Sequence, residues 1–240
     1  MRLPHVPLSA QATNLPSDSP VPAGMLLPQA EQVRERFLKE CVGAGVKSFD
    51  AVIDGSDHAS SFVQHAYCND LTILTKADPK APDHCATEDF VEYVVLHSAR
   101  PTLILPFAAG RFSAIGTIGT NVLVAWNDSR EAARALSDAL PLLRLAKQVH
   151  VMLWNEWGGD GHESQGHRFD ALHQWLTRHG VSANIEVQTT EIGIVDSLLA
   201  RAAELKTDLV VMGAYSHRPS SGYTTRALLA AITVSVLTSH

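Results

Sequence analysis

The stretch Asp208-Leu-Val-Val-Met-Gly213-Ala-Tyr decides the fold, because its pattern indicates a short apolar strand that ends in a glycine turn. A polar segment follows, then a predicted helix at 225–232 and a closing strand at 235–240. In α/β sheets, ligands bind beyond the carboxyl ends of the strands, and phosphate groups bind at helix N-termini. The segment therefore has the layout of a ligand site, although it lacks most of the glycines that a phosphate loop uses.

The residues before this stretch alternate between apolar strands and amphipathic helices. Strands are predicted at 121–126, 148–154 and 183–189, and helices at 129–146, 167–179 and 194–205. Strands that alternate with helices of this length indicate right-handed crossovers and a mainly parallel sheet.

The first half of the chain shows a weaker version of the same pattern. We predict helices at 31–42, 56–67 and 87–98, and strands at 49–53, 69–75 and 101–106. Asn69-Asp-Leu-Thr-Ile-Leu resembles Thr207-Asp-Leu-Val-Val-Met, and Ala44-Gly45 resembles His179-Gly180, which indicates an internal repeat of about 135 residues. The second unit begins at Asn121, so a complete first unit would begin before Met1. We therefore expect the first unit to lack its first strand and helix.

Three regions follow from these patterns. Residues 1–30 hold six of the twelve prolines and predict an irregular arm, because proline removes backbone donors and restricts its neighbours. Residues 31–110 are the predicted truncated first unit, and residues 121–240 are the predicted complete second unit.

The composition narrows the class of partner. The formal net charge is −6 and the pI is about 6.0, which argues against nucleic-acid and anionic-membrane partners. No apolar run reaches the length of a spanning helix, and the three cysteines show no CxxC spacing, so we expect a cytoplasmic protein. The histidines His162, His167, His173 and His179 are five or six residues apart, which does not place two of them on one helix face. No metal site is expected.

The ordered set of motifs carries a resemblance to a known family. Residues 122–136 resemble the first strand and helix of the universal stress protein family, residues 208–217 resemble its fourth strand and following turn, and residues 225–240 are similar to its last helix and strand. The match covers residues 121–240 well and 30–107 more weakly. The resemblance implies a tandem universal stress protein with a truncated first unit. It also implies an α/β fold with a doubly wound, five-stranded parallel sheet of order 3-2-1-4-5, like that of adenine nucleotide α-hydrolases, and dimer-like pairing of units.

The resemblance also implies a nucleotide site, because some members of the family bind ATP. Their motif is a glycine, two residues, a second glycine, nine residues, and a third glycine followed by a small hydroxyl residue. Gly213 fits the first position, but Ser216 stands at the second, and Arg226 and Ala227 stand at the last pair. The aspartate that the family places at the end of its first strand is Asn127 here.

The candidate nucleotide contacts, for ATP or AMP, are Asn127, Asp128, Ser129, Gly213, Ser216 and His217. Asp128 and Ser129 have a second interpretation as caps of the helix that follows them, which needs only a side-chain oxygen on a free backbone amide. His217 has a second interpretation as a loop residue that bonds a neighbouring carbonyl group.

Three hypotheses about function follow. The first is a stress-response protein without catalytic residues, with a degenerate nucleotide site, that acts through protein partners. The second is an ATP- or AMP-binding sensor of the same fold. The third is an enzyme of the wider adenine nucleotide α-hydrolase group, which needs a pyrophosphate loop that Trp126-Asn-Asp-Ser-Arg130 does not supply. We also expect a homodimer, because a truncated first unit should leave apolar surface uncovered; alternatively, residues 1–30 cover it.

Overall fold

A computed structural model describes residues 23–53, 59–76, 88–106, 118–156, 165–215 and 221–240. The chain divides into two units, Met1–Thr102 and Leu103–His240. Each unit is described by itself.

The first unit contains α1 (Ala23–Gly43), α2 (Ala59–Ala66), β1 (Thr72–Thr75) and α3 (Glu88–His97). Phe62 on α2 packs edge to face on Phe90 of α3, with ring centroids 5.5 Å apart. The Thr72 N–H donates to the Pro101 carbonyl at 3.0 Å, which ties the start of β1 to the segment after α3.

Two predictions for the first unit are wrong. Residues 49–53 form no strand; Asp50 Oδ1 accepts a hydrogen bond from the Ala51 N–H at 2.8 Å, a local bond that competes with strand pairing. Residues 23–30 do not belong to an irregular arm, since α1 begins at Ala23 and continues through Pro28. Proline removes one helical hydrogen bond, but the alanine, methionine and leucine residues around it favour the helix. The rest of the predicted arm, residues 1–22, lies outside the described residues.

The second unit contains the strands predicted within residues 121–240, in the predicted order, and also most of the strand predicted at 101–106, which the sequence analysis placed in the first unit. The strands are β2 (Thr102–Leu105), which begins at the division between the units, β3 (Asn121–Trp126), β4 (Gln148–Glu156), β5 (Asn184–Thr190), β6 (Leu209–Gly213) and β7 (Ser235–Ser239). They are ordered β5-β4-β3-β6-β7, and each of these neighbouring pairs is parallel. This confirms the 3-2-1-4-5 order, although β2 lies beyond β7 and extends the sheet past five strands.

Four helices connect these strands: α4 (Arg130–Leu143), α5 (Gln165–Arg178), α6 (Ile194–Glu204) and α7 (Ser221–Ala231). The central strands are apolar because both faces are covered, and Leu209, Val210 and Val211 of β6 have no exposed surface. Pro141 lies inside α4 without ending it.

The ends of α1 and α5 share one geometry. Gly45 follows α1 with φ +68, and Gly180 follows α5 with φ +75. In each case the next residue donates its N–H five residues back: Val46 to Cys41 at 3.0 Å, and Val181 to Leu176 at 2.9 Å. Glycine suits this helix ending because it adopts a positive φ without steric cost.

Among the described helices, none is long and apolar enough to cross a membrane.

Candidate functional site

A cavity of about 210 Å³ lies at the carboxyl ends of β3, β4 and β6. β3 and β6 pair in parallel, with Ala125 opposite Met212 at the end of the pairing. The chain order of the strands reverses here, because β4 follows β3 on one side and β6 lies on the other. This reversal is the point at which doubly wound sheets bind their ligands.

The cavity wall comes from strand ends and from two helices. The strands and the turns after them contribute Ala125, Trp126, Asn127, Trp154, Met212, Gly213 and Tyr215. Helices α6 and α7 contribute Ile194, Val195, Leu198, Thr224, Thr225 and Leu228. None of these residues carries a charged side chain.

The turn between β3 and α4 holds three of the residues that the sequence singled out. Asn127 lines the cavity, and its Oδ1 accepts the Ser129 N–H at 3.2 Å. Asp128 has a φ of +55 and accepts the Trp126 indole N–H at 2.8 Å. Ser129 Oγ accepts the Ala132 N–H at 3.1 Å and is the N-cap of α4. The helix-cap interpretation is therefore the structural role of Ser129, and only Asn127 of the three lines the cavity.

Glu131 is a residue that sequence reasoning missed. It lies in the first turn of α4, where only 3% of its surface is exposed, and its Oε1 accepts the Arg130 Nε–H at 3.2 Å. Burial raises the pKa of the Glu131 carboxyl, but hydrogen bonds from its own backbone N–H, from Arg130 and from Ser129, with the charge of Arg130, outweigh burial and lower the pKa overall. The carboxylate and Ser129 thus satisfy amide groups at the N-terminus of α4, where an external anion would otherwise bind.

We expect Glu131→Gln to weaken the second unit by about 1–2 kcal/mol at pH 7, because the substitution removes the charge of a buried acceptor and replaces one of its two oxygens with an NH2 group. A carboxyl with a lowered pKa stabilises the folded state above its unfolded pKa of about 4.3, and this stabilisation is lost as the pH falls through the folded value. The difference between wild type and variant should therefore shrink below about pH 4. Urea unfolding between pH 7 and 3 measures it, with exposed Glu191→Gln as the control. A difference that stays constant over this range would contradict the role of the charge.

Gly213 has a different role from the one that the sequence suggested. Its φ is not positive, so it does not make a left-handed turn. A Cβ atom at Gly213 would lie 2.5 Å from the backbone carbon of Glu131 and 2.8 Å from Glu131 Cβ, and closer still to Ala132 N. The glycine therefore lets the end of β6 approach the first turn of α4.

The left-handed residue after β6 is Tyr215, with a φ of +52. This conformation is uncommon for a bulky side chain. The Tyr215 N–H donates to Thr225 Oγ1 at 3.2 Å, and the Ala214 carbonyl lies 3.0 Å from His240 Nδ1. These bonds hold the chain where it leaves the sheet. Ser216 and His217, the remaining predicted site residues, lie outside the described residues.

Trp154 forms the inner wall of the cavity from β4. It is 9% exposed, and its indole N–H donates to Ser197 Oγ on α6 at 2.9 Å. The bond fixes the indole plane and attaches α6 to the strand that carries the tryptophan. No sequence pattern singles out Ser197 as the partner, because it lies 43 residues away in the chain.

The described part of the chain brings no three His, Cys, Asp or Glu side chains close enough together to hold a metal ion.

Comparison with solved structures identifies the fold. A universal stress protein from Archaeoglobus fulgidus aligns over 93% of this chain and 81% of its own, with 15% identity and a TM-score of 0.65. A functionally unknown protein from Pseudomonas aeruginosa aligns over 86% of this chain and 76% of its own, with 19% identity and a TM-score of 0.56. A protein of the universal stress protein family from Burkholderia pseudomallei aligns over 50% of this chain and 96% of its own, with 24% identity and a TM-score of 0.41. Neither a protein-family model nor a curated protein matches the chain.

The chain is thus an α/β protein with a cavity of about 210 Å³ at the switch point of its parallel sheet. Its fold is that of the universal stress proteins, which confirms the resemblance found in the sequence at the level of the fold.

Proposed function

We propose that the chain is a member of the universal stress protein family that acts without catalysis and does not hold a nucleoside triphosphate at its strand-end cavity. The observation that carries the proposal is the uncharged wall of this cavity among the described residues. Its volume of about 210 Å³ also lies below the ~300 Å³ at which typical ligand pockets begin. A triphosphate carries several negative charges, and burying them without cations costs much more than stacking a base returns.

The N-terminus of α4 supports the same conclusion. A helix N-terminus attracts a phosphate because its first amide groups are unsatisfied. Here Ser129 Oγ accepts the Ala132 N–H, and the buried Glu131 carboxylate places a negative charge in the first turn. An incoming phosphate would have to compete with Ser129 and with the Glu131 carboxylate, which pairs with Arg130, for the amide groups of this turn.

The proposed protein is cytoplasmic, takes part in the stress response through protein partners, and assembles as a homodimer. Light scattering at micromolar concentration tests the last of these. We expect twice the chain mass, and a monomer mass would contradict the dimer.

Isothermal titration calorimetry with Mg-ATP tests the central claim. We expect no saturable heat up to about 1 mM nucleotide, which corresponds to a binding free energy weaker than about −4 kcal/mol. A dissociation constant in the micromolar range would overturn the proposal. A nucleotide-turnover assay on the same sample tests the absence of catalysis, and any turnover that scales with protein concentration would contradict it.

The second candidate is a sensor that binds ATP or AMP. It is favoured by the position of the cavity at the switch point and by two indole rings in its wall, Trp126 and Trp154, against which a base can stack. The segment 216–220 also carries His217 and Arg218, and it lies outside the described residues. Saturable AMP binding that Asn127→Ala weakens at least about tenfold would support the sensor.

A further inference from the structure

The cavity at the switch point has an apolar interior and opens to solvent at its outer side. Its inner wall is formed by Trp154, Leu198, Met212 and Leu228, none of which is more than 9% exposed. Its outer wall includes Trp126, Ile194 and Val195, which are half-buried. A small molecule can therefore reach a site where apolar atoms surround it on most sides.

The volume sets the size of the molecule. At about 210 Å³ the cavity is larger than the ~150 Å³ apolar cavity that is known to bind benzene. It is smaller than the pockets that hold drug-sized ligands, which begin at ~300 Å³. One aromatic ring, or two fused rings, fits between these limits.

The chemistry of the wall sets the charge of the molecule. The lining residues that the structure describes contain no charged side chain, so a buried ion would lose its hydration without gaining a partner. Two indoles and the Met212 thioether present surfaces that favour aromatic rings. The polar groups of the lining are neutral: the Asn127 carboxamide, whose NH2 group can donate to a ligand, and the Thr224 and Thr225 hydroxyls.

We propose that this cavity binds a small, uncharged aromatic molecule of one or two rings with a single polar substituent. The inference deepens the proposed function, on which it rests, by naming the ligand class of the site that excludes triphosphates. The ring lies against Trp154 and Met212, and the polar substituent faces Asn127 at the mouth.

The direct test is 19F NMR of 5-fluoroindole in the presence of the full chain. We expect saturable line broadening with a dissociation constant on the order of 0.1–1 mM, as suits a ligand of this size. The anionic analogue 5-fluoroindole-3-acetate should bind at least about tenfold more weakly, because the lining residues that the structure describes include no cation. The absence of saturable broadening with 5-fluoroindole, or equal affinity for the two probes, would overturn the proposal.

A substitution that fills the cavity should weaken the binding of 5-fluoroindole. Val195→Phe adds a ring at the half-buried first turn of α6, whereas Val187→Phe makes the same change on β5, at a side chain that is 43% exposed and outside the lining. We expect at least about a tenfold loss of affinity in the first variant and a change of less than about twofold in the second. Similar affinities in both variants would show that 5-fluoroindole binds elsewhere.

A second measurement does not depend on whether Val195→Phe folds. In 15N-labelled wild-type protein, 5-fluoroindole should shift the indole N–H resonances of Trp126 and Trp154 but not that of Trp175, which lies on α5 outside the lining. Shifts confined to Trp175 would place the ligand elsewhere and overturn the proposal. The same spectra separate the two claims: Mg-ATP shifts at Trp126 and Trp154 contradict the proposed function, whereas the aromatic site is decided by 5-fluoroindole alone.

Discussion

The Gly213→Ala variant should lose at least about 3 kcal/mol of stability, a large effect for the addition of one methyl group. The added Cβ would meet the backbone of Glu131 and Ala132 in the first turn of α4, at distances that real Cβ atoms essentially never show. Backbone atoms cannot rotate away as a flexible side chain can. β6 and α4 must therefore move apart, and both lie in the buried centre of the second unit. Gly213→Val should have a larger effect still.

Tryptophan fluorescence in a urea titration measures this loss, since all four tryptophans, at 126, 154, 157 and 175, belong to the second unit. The control is Gly193→Ala in the same unit. Gly193 has a φ of −55, and its nearest neighbour to an added Cβ is Asp196 Oδ2 at 3.8 Å, an ordinary contact. Gly193 is the N-cap of α6 and makes no side-chain bond, so Gly193→Ala should lower the stability of the unit by about 1 kcal/mol or less. Equal losses in the two alanine variants would mean that the contact with α4 is not the cause.

Gly213 also shows where sequence reasoning succeeds and where it ends. The strand before it was predictable, because an apolar run between polar residues indicates a buried parallel strand. The same reasoning predicted β3 within its observed bounds and, with the family resemblance, the strand order of the second unit. The reason that position 213 needs glycine was not predictable, since it depends on a helix that begins more than 80 residues earlier in the chain.

The strand predicted at 49–53, in the first half of the chain, was wrong for a related reason. Residues 49–53 have the composition of a strand but form none, because a strand also needs a partner in the sheet, and composition does not report partners. The sequence did not single out Glu131, because a glutamate in the first turn of a helix is common. Its burial depends on the approach of the end of β6 to α4, which the sequence does not show. At the candidate site, the sequence identified the turn after β3 but not the apolar wall supplied by Met212 and α6.

Asp208→Ala should have the other large effect, a loss of about 3 kcal/mol or more from the second unit. The Asp208 carboxylate accepts three backbone N–H groups at the start of β3: Gly119 at 2.9 Å, Thr120 at 2.9 Å and Asn121 at 3.2 Å. Successive amide groups that converge on one carboxylate form an anion-binding nest. Alanine would leave part-buried donors without their acceptor, and a donor that loses its partner costs more than an average hydrogen bond contributes.

The same residue also sets the alignment of the two central strands. The Asp208 N–H donates to the Asn121 carbonyl at 3.0 Å, so the bonds run in both directions between the chain entering β3 and the chain entering β6. Gly119, with a φ of +86, allows the backbone to turn its N–H toward the carboxylate. Asp208→Asn keeps one acceptor oxygen but places an NH2 group where the second oxygen accepts a bond. We therefore expect its stability to lie between that of wild type and that of Asp208→Ala.

Urea titration followed by tryptophan fluorescence measures both Asp208 variants, with Asp170→Ala on the exposed face of α5 as the control. The control should change stability by about 0.5 kcal/mol or less, as is usual for surface substitutions. Asp208 lies at the amino end of β6, whereas the cavity lies at its carboxyl end beside Met212 and Gly213. In the absence of urea, where Asp208→Asn is folded, the affinity of this variant for 5-fluoroindole should therefore stay within about twofold of the wild-type affinity. If Asp208→Ala were no less stable than Asp170→Ala, the carboxylate would not be what joins β3 to β6.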